Sequence, residues 1–216
     1  MAKGCTGVHY CRRSPWPQIC DYGVALVGYK AAAIAGQEGI AVAGTHGAAF
    51  ADNFSIALAG DYGSADTKHA GIAVAGEQGK ATTKTSGTAI TGNFGKAVTG
   101  NHGTAKTNYD GIAMAGDFGT AIAGPRSTAI VGKNGTAIAG AYGSVIGGPG
   151  SVLIINSPFG VNHHEHVKKI VASVGQNGIK PDTQYRLSDS GDFVEVPQEN
   201  ENGADLASET DPSAAF

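Results

Sequence analysis

Four residues near the start of the chain have side chains of the types that bind zinc. Cys5, His9, Cys11 and Cys20 are spaced C-x3-H-x-C-x8-C, and thiolate and imidazole are the usual ligands of structural zinc. The spacing lacks the C-x2-C knuckle found in most such sites, which favours reduced structural thiols and leaves zinc as the alternative. Apart from that zinc, we expect no cofactor.

Catalytic motifs are not found in the sequence. It contains no G-x-S-x-G, no P-loop and no H-E-x-x-H, and most carboxylates of the central region fall where turns are expected. His163, His164 and His166 could bind a metal together, but the solvated first turn of a helix explains them better. We therefore expect a protein that is not an enzyme.

The composition limits the kind of core that this chain can build. Its 216 residues include 34 Gly, and only 7% are aromatic. Ala supplies much of the apolar fraction, so a core of interlocking Leu and Phe is not expected. Recurrent glycine also argues against long helices, because each interior Gly costs about 1 kcal/mol relative to Ala. The composition therefore leaves two possibilities, a flexible low-complexity chain or a repeat fold with a thin interior.

An eight-residue repeat runs without insertion from Gly23 to Pro158. Its pattern is G-x-A-h-A-G-x-x, where h is a larger apolar residue, and it fills 17 octads. The first position is Gly in 13 of the 17 octads, the third is Ala in 15 and the sixth is Gly in 12. Disordered sequence has no reason to hold such a register, so we predict a folded repeat.

Each octad predicts one strand and one turn. Positions 2 to 5 predict a short strand with alternating faces, and positions 6 to 8 with the next Gly predict a turn in which glycine supplies positive φ. Stacked octads would form an all-β parallel solenoid. Position 2 is alike at a spacing of 16, as in Val24 and Ile40, which favours flat two-octad coils and a rod of about 40 Å. A spacing of 24 in Phe94, Phe118 and Tyr142 leaves a triangular coil as the alternative.

Charged residues indicate which strand face points outward. Lys80 and Lys96 stand at position 2 and Asp66 and Lys106 at position 4, whereas positions 3 and 5 are nearly all Ala, Thr or Val. Because charged side chains belong in solvent, we expect positions 3 and 5 to form an Ala/Thr seam inside the solenoid and the position-4 aliphatic residues to face outward. The alternative is a kinked strand whose fourth position fills the core. The outward stripe predicts an interaction face that includes Ile40, Leu58, Val74, Ile90, Ile122 and Ile138.

Irregular octads and uneven charge also suggest contacts. Position 6 is not Gly at Asp52, Lys68, Lys84 and Asn108, and the first three lie 16 apart, so they would mark one edge of a flat coil. Residues 30–78 carry two basic and five acidic residues (−3), and residues 79–133 carry six basic and two acidic (+4). Such a dipolar rod could orient a partner or favour antiparallel pairing.

The two ends depart from the repeat. We expect residues 1–22 to cap the first coil, 23–158 to form the solenoid, 159–196 to form a small α+β module and 197–216 to be an acidic, disordered tail. Within the module, Asn162 begins a predicted helix that continues to about Val174. Residues 184–196 alternate and turn at Asp-Ser-Gly-Asp, which predicts a hairpin.

The repeat also resembles known families. Octads such as Ala139-Gly140-Ala141-Tyr142-Gly143-Ser144 resemble the octapeptides of bacterial ice-nucleation proteins, which are described as β-solenoids with 16-residue coils. They are more similar to uncharacterised bacterial octapeptide-repeat proteins, in which G-T-A-T-A-G copies precede a segment similar to residues 178–187. More distantly, the strand pattern is similar to the heads of trimeric autotransporter adhesins. The resemblance implies a bacterial β-solenoid and no established activity.

Three functions follow as expectations. The favoured one is a non-catalytic scaffold or binding protein that uses flat faces to bind itself, another protein, or both. The alternatives are a protein that binds ice or glycan surfaces, and an effector or inhibitor module presented by the solenoid. The charge pattern does not favour nucleic acid, and no run of about 18 apolar residues suggests a membrane span. Without a recognisable signal peptide we expect a cytoplasmic protein, with export by an unrecognised route as the alternative.

Overall fold

The computed structural model describes residues 8–11, 21–157 and 168–197, and all regular elements in these ranges are β-strands. The strands are β1 (Val8–Cys11), β2 (Val24–Val27), β3 (Ala32–Ala35), β4 (Ile40–Ala43), β5 (Ala48–Ala51), β6 (Ile56–Ala59), β7 (Ser64–His69), β8 (Ile72–Ala75), β9 (Lys80–Thr85), β10 (Thr88–Thr91), β11 (Lys96–Val98), β12 (Thr104–Lys106), β13 (Ile112–Ala115), β14 (Thr120–Ala123), β15 (Thr128–Val131), β16 (Thr136–Ala139), β17 (Ser144–Gly147), β18 (Val152–Asn156), β19 (Lys169–Ser173), β20 (Gln184–Leu187) and β21 (Phe193–Glu195).

The 17 strands from β2 to β18 wind into flat coils of 16 residues. Ile40 pairs with Ile56, and Ala48 pairs with Ser64, so each strand lies beside the strand of the next coil. Two sheets result: sheet A has the order β1-β2-β4-β6-β8-β10-β12-β14-β16-β18-β19, and sheet B has the order β3-β5-β7-β9-β11-β13-β15-β17-β20-β21. The predicted parallel β-solenoid with two octads per coil is confirmed, and the triangular coil is wrong.

Alanine fills the space between the two sheets. Position 3 is fully buried in both of them, as at Ala73 in sheet A and Ala81 in sheet B. The strands alternate regularly, with positions 3 and 5 inward and positions 2 and 4 outward. The predicted inner seam is confirmed, and the kinked strand is wrong. Among the described residues, the largest fully buried side chains, Val145, Leu153 and Ile155, lie near the last coil, and earlier coils bury threonine at position 5, as at Thr83 and Thr91.

The turns place positive φ at a different residue from the one expected. Position 8 is left-handed in each turn from Tyr22 to Tyr142, with φ between 50° and 59°, and none of these residues is glycine. Only the last such turn, at Gly150, uses glycine there. The prediction that the glycines of positions 1 and 6 supply positive φ is therefore wrong.

Those glycines are required because consecutive coils and strands approach closely. A Cβ on Gly71 would lie 2.6 Å from the Thr67 Cβ and 2.9 Å from the Ser55 carbonyl oxygen. A Cβ on Gly60 would lie 2.8 Å from the Thr45 backbone nitrogen of the previous coil. Side chains at these positions would push the coils apart, so the octad keeps glycine for space rather than for dihedral freedom.

Position-7 carboxylates and amides connect neighbouring turns. The Asp61 Oδ1 accepts a hydrogen bond from the Glu77 backbone N–H at 2.8 Å, and the Asp117 Oδ1 accepts one from Lys133 N–H at 2.8 Å. The backbone adds its own ladder, as where Tyr62 N–H donates to the Glu77 carbonyl at 2.8 Å. The turns are thus bonded from coil to coil like the strands, which makes both edges regular surfaces.

Strands outside the octads occupy both ends of the stack. At one end β1 pairs with β2 in the same 16-residue register, Val8 beside Val24. At the other, β19 runs antiparallel to β18, and the β20–β21 hairpin adds to β17 through Val145 and Tyr185. The predicted hairpin is confirmed.

The predicted helix is wrong wherever the chain is described, because Lys169–Ser173 forms β19. This segment contains the β-branched residues Ile170 and Val171, and the open edge of β18 offers it a ladder of backbone partners. Residues 162–167 of that helix, and residues 198–216 of the predicted tail, lie outside the described residues.

Candidate interaction faces

The outward side chains of sheet A form a long, nearly uncharged surface, which we call face A. Face A comprises the position-2 row Val24, Ile40, Ile56, Ile72, Thr88, Thr104, Thr120, Thr136 and Val152, and the position-4 row Leu26, Val42, Leu58, Val74, Ile90, Lys106, Ile122, Ile138 and Ile154. Thirteen of its 18 side chains are aliphatic, four are Thr and one is charged. Nine strands about 4.8 Å apart give it a length of about 38 Å.

The residues predicted for an interaction face all lie on face A. Ile40 belongs to the position-2 row, and the other five are Leu58, Val74, Ile90, Ile122 and Ile138 of the position-4 row. Register pairs such as Leu58 with Val74 place each side chain against its neighbour in the next coil. The side chains are therefore half-buried by one another while the surface that they form stays open to solvent.

Lys106 is the single charge on face A. It stands in register with Ile90 on one side and Ile122 on the other. It is exposed and has no ion-pair partner within the described part of the chain. An ammonium group between two aliphatic neighbours marks the one place on this face where a carboxylate would fit.

The outward side of sheet B, which we call face B, is polar in its middle. Face B comprises Ala32, Ala48, Ser64, Lys80, Lys96, Ile112, Thr128 and Ser144 at position 2, and Ile34, Phe50, Asp66, Thr82, Val98, Met114, Ile130 and Ile146 at position 4. Lys80 and Lys96 lie side by side in register, and the Ser64 hydroxyl donates to the Asp66 carboxylate at 3.0 Å. Like charges in direct register oppose pairing, so face B is a solvated surface at its centre.

The irregular turns fall mainly on one edge, as predicted. We call the edge formed by turns that follow sheet A strands edge 1 and the other edge 2. Asp52, Lys68 and Lys84 occupy consecutive turns of edge 2, whereas Asn108 lies on edge 1. At Lys68 and Lys84 the strands continue through position 6, so β7 and β9 reach His69 and Thr85, whereas β5 ends before Asp52 and β12 ends before Asn108.

Two of these irregular residues form an ion pair. The Lys68 Nζ lies 3.1 Å from the Asp52 Oδ2, and both side chains are exposed. The hydrogen bond from Lys68 lowers the pKa of the Asp52 carboxyl below its usual value. On edge 1, the Asn108 carbonyl oxygen accepts the Ser127 hydroxyl at 2.7 Å, so the Asn108 turn is bonded to the turn of the next coil. Whether these residues bind a partner remains a prediction.

Exposed aromatic side chains in the turns were not recognised as a group in the sequence. Edge 1 carries Tyr29, His46, Tyr62, Phe94, Tyr109 and Tyr142. The rings of His46 and Tyr62 stack with centroids 4.8 Å apart, and Phe94 meets Tyr109 edge-on at 6.3 Å. The 24-residue spacing drew attention to Phe94, Phe118 and Tyr142, but Phe118 lies on edge 2. Sorting the aromatic residues by the 16-residue coil would have revealed the group.

The proposed zinc ligands Cys5 and Cys20 lie outside the described residues. His9 and Cys11 lie in β1, whose side chains are also outside the description, and His163, His164 and His166 likewise lie outside the described residues. Across residues 21–157 and 168–197, no group of three or more His, Cys, Asp or Glu side chains is arranged to hold a metal. In the same ranges, no helix is long and apolar enough to cross a membrane.

Comparisons with known proteins give no relative for this chain. No protein-family model, no curated protein and no solved structure matches it.

Proposed function

We propose that the protein is a non-catalytic scaffold that binds a second copy of itself through face A. The contrast between the two faces supports this proposal. Both faces have the same backbone, the same register and the same alanine interior. Face A nevertheless carries one charge among 18 side chains, while face B places Asp66, Lys80 and Lys96 at its centre. A fold that needs only its inner positions leaves this aliphatic surface unexplained unless something covers it.

The size of face A sets the expected strength of association. Four-residue strands about 13 Å long, repeated over about 38 Å, give a flat area on the order of 500 Å². Two such faces fall in the range of weak and transient interfaces rather than obligate ones. The regular rows suit face-to-face packing, in which side chains of two sheets interdigitate. We expect a reversible dimer at micromolar concentration.

Charge favours an antiparallel arrangement of the two rods. The acidic half, residues 30–78, would then lie beside the basic half, residues 79–133, of the second copy. A two-fold axis along β10, the central strand of face A, brings β12 of one copy opposite β8 of the other. Lys106 would then approach Glu77, which follows β8 on edge 1 and lies in no ion pair within the described residues.

Sedimentation velocity over a range of concentrations tests this proposal with a matched pair of variants. Ile90→Lys inserts a charge at the centre of face A, and Ile130→Lys inserts the same charge at position 4 of face B. We expect wild type and Ile130→Lys to dimerise and Ile90→Lys to stay monomeric. A monomeric wild type at about 100 μM, or equal behaviour of the two variants, would overturn the proposal.

The ice-binding alternative has less support. The position-5 residues Thr67, Thr83, Thr91, Thr99 and Thr107 are all buried. On face A, Thr88, Thr104, Thr120 and Thr136 form a single row beside position-4 residues that carry no hydroxyl. A surface that orders water through paired hydroxyls would need two such rows. Thermal hysteresis measurements separate this alternative from self-association, and we expect no hysteresis.

The C-terminal strands β19 to β21 have more support as an end cap of the solenoid than as a separate effector module. β19 adds to sheet A and the β20–β21 hairpin adds to sheet B, and Gln184 donates to the Ser144 hydroxyl at 2.8 Å. These strands cover the open edges of the last coil, which otherwise invite aggregation. Deleting residues 159–216 is therefore expected to cause aggregation rather than to remove a separate binding activity.

A further inference from the structure

The turns hold bulky side chains where the backbone disfavours them. Phe94 and Tyr142 are at position 8 with φ of 55° and 59°, and they are 57% and 72% exposed. A left-handed conformation costs a residue other than glycine about 1 kcal/mol or more. The same position accepts Asn134 and Gly150 in other turns, residues that relieve this strain. Because every turn from Tyr22 to Tyr142 has this conformation, the exposure of these large apolar rings is what indicates a role in binding.

The aromatic residues of edge 1 border an open groove near the C-terminal coils. The groove has a volume of about 710 Å³ and is lined by Tyr109, Asp110, Pro125, Arg126, Ala141 and Tyr142. Pro125 and Ala141 stand at position 7, where other turns carry Asp61, Glu77 or Asn93. These small residues leave the space between the rings open.

Polar groups lie between the two tyrosines. The Arg126 Nε donates to the Asp110 Oδ1 at 3.2 Å, and the guanidinium carbon lies 5.6 Å from the centre of the Tyr109 ring. Among the described residues, these two are the charged side chains that line the groove, and they neutralise each other. A phosphate backbone gains nothing from a groove without net positive charge, so a ligand without charge is favoured.

We propose that this groove binds a linear, uncharged glycan that runs along the solenoid axis. The C–H groups of a pyranose face are slightly positive and pack on the negative face of an aromatic ring. Sugar hydroxyls can both donate to the Asp110 carboxylate and accept from the Arg126 guanidinium. Tyr109 and Tyr142 lie two coils apart, or about 10 Å at a spacing of about 4.8 Å per coil, which is close to the length of one β-1,4-linked disaccharide unit. Alternate sugars of such a chain would therefore meet one ring each.

Isothermal titration with cellohexaose and with chitohexaose tests the proposal on the full chain. We expect at least one of them to bind, and Tyr109→Ala and Tyr142→Ala each to weaken that binding at least tenfold. Tyr142→Phe keeps the ring and should stay within about threefold of wild type. Phe54→Ala is the matched control, because Phe54 is an exposed position-8 residue on the opposite edge, and it should bind as wild type does. Circular dichroism establishes that each variant is folded.

Several results would overturn the proposal. They are no binding of either hexasaccharide at millimolar concentration, binding that the tyrosine variants leave unchanged, and groove-dependent binding of a dT12 oligonucleotide or a proline-rich peptide instead. The face A proposal is independent of this one, and the Ile90→Lys variant separates them. It should bind the glycan as wild type does while failing to dimerise.

Discussion

Faces A and B are two different surfaces built on the same repeating backbone. Most of their strands have four residues, and both faces have the same 16-residue register and a buried alanine at position 3. Outside, one face is aliphatic and nearly uncharged, and the other carries Lys80 beside Lys96. The difference shows that in this solenoid the inner positions determine the fold, while the outer positions are free to vary. Function is therefore to be sought in whatever distinguishes the faces and edges from one another.

The largest expected effect on stability comes from substitutions in the interior, which should destabilise sheet A and sheet B equally. Ala89→Leu in sheet A and Ala97→Leu in sheet B each add three carbons to a fully buried position. Overpacking a thin core costs about 3 kcal/mol or more, and we expect equal losses in the free energy of urea unfolding. A loss confined to one sheet would contradict the view that the interior is common to both faces.

A second prediction concerns Ala70 and Gly71, two adjacent residues that connect β7 of sheet B to β8 of sheet A. Gly71→Ala places a Cβ against Thr67 and should lower the free energy of unfolding by about 2 kcal/mol. Ala70→Gly relieves a φ of 51° and should raise it by about 0.5–1 kcal/mol. Urea unfolding of both variants measures these values. If both substitutions raised the free energy of unfolding, or both lowered it, the result would contradict the account. In that account, glycine at position 1 provides space and position 8 has the positive φ.

A third prediction sharpens the orientation of paired A faces. Lys106→Glu should weaken dimerisation about tenfold, because the new carboxylate would face Glu77 of the second copy. Adding Glu77→Lys in the same chain should restore the affinity, and sedimentation equilibrium measures both. If Glu77→Lys instead weakens dimerisation further, the antiparallel arrangement about β10 is wrong.

A fourth and smaller effect belongs to face B. Lys96→Glu replaces a like-charge pair with an opposite-charge pair beside Lys80 and should stabilise the fold by about 0.5 kcal/mol. Because face B takes no part in the proposed contact, dimerisation should not change. Thermal unfolding and sedimentation on the same sample measure the two quantities. A change in the dimerisation constant would show that face B contributes to association.

The smallest effect is at the irregular edge, away from both faces. The Lys68 hydrogen bond lowers the pKa of Asp52, so the stability from this pair is present above the unfolded pKa and is lost as pH falls through the folded one. Carboxyl chemical shifts followed by NMR should give Asp52 a pKa below 3.8, the ordinary value. Lys68→Met should return the pKa to that value, and an unchanged pKa would exclude the ion pair.

The sequence was sufficient to predict the coil, the inner seam and the outer faces. The octad register does not slip, and Lys80, Lys96 and Lys106 identify the solvated positions because burying an unpaired charge is too costly. The predicted irregular edge also follows from the register, since Asp52, Lys68 and Lys84 are spaced by one coil.

Other features depend on contacts that a linear pattern does not contain. Glycine is suited both to positive φ and to close approach, and only the neighbouring coil shows that Gly71 serves the second. Ile170 and Val171 suit a helix by spacing and a strand by branching, and the open edge of β18 decides for the strand. The groove between Tyr109 and Tyr142 unites residues 33 positions apart, which becomes visible only after two coils are stacked.

Small-angle X-ray scattering as a function of concentration tests most directly the claim that face A is the surface of self-association. Two rods packed face to face have twice the mass of one, a thicker cross-section and nearly the same maximum dimension. We expect this change as the concentration rises, and no change in the Ile90→Lys variant. A doubled mass with a doubled maximum dimension would mean end-to-end assembly, and a constant mass would mean no assembly; either result would contradict the account.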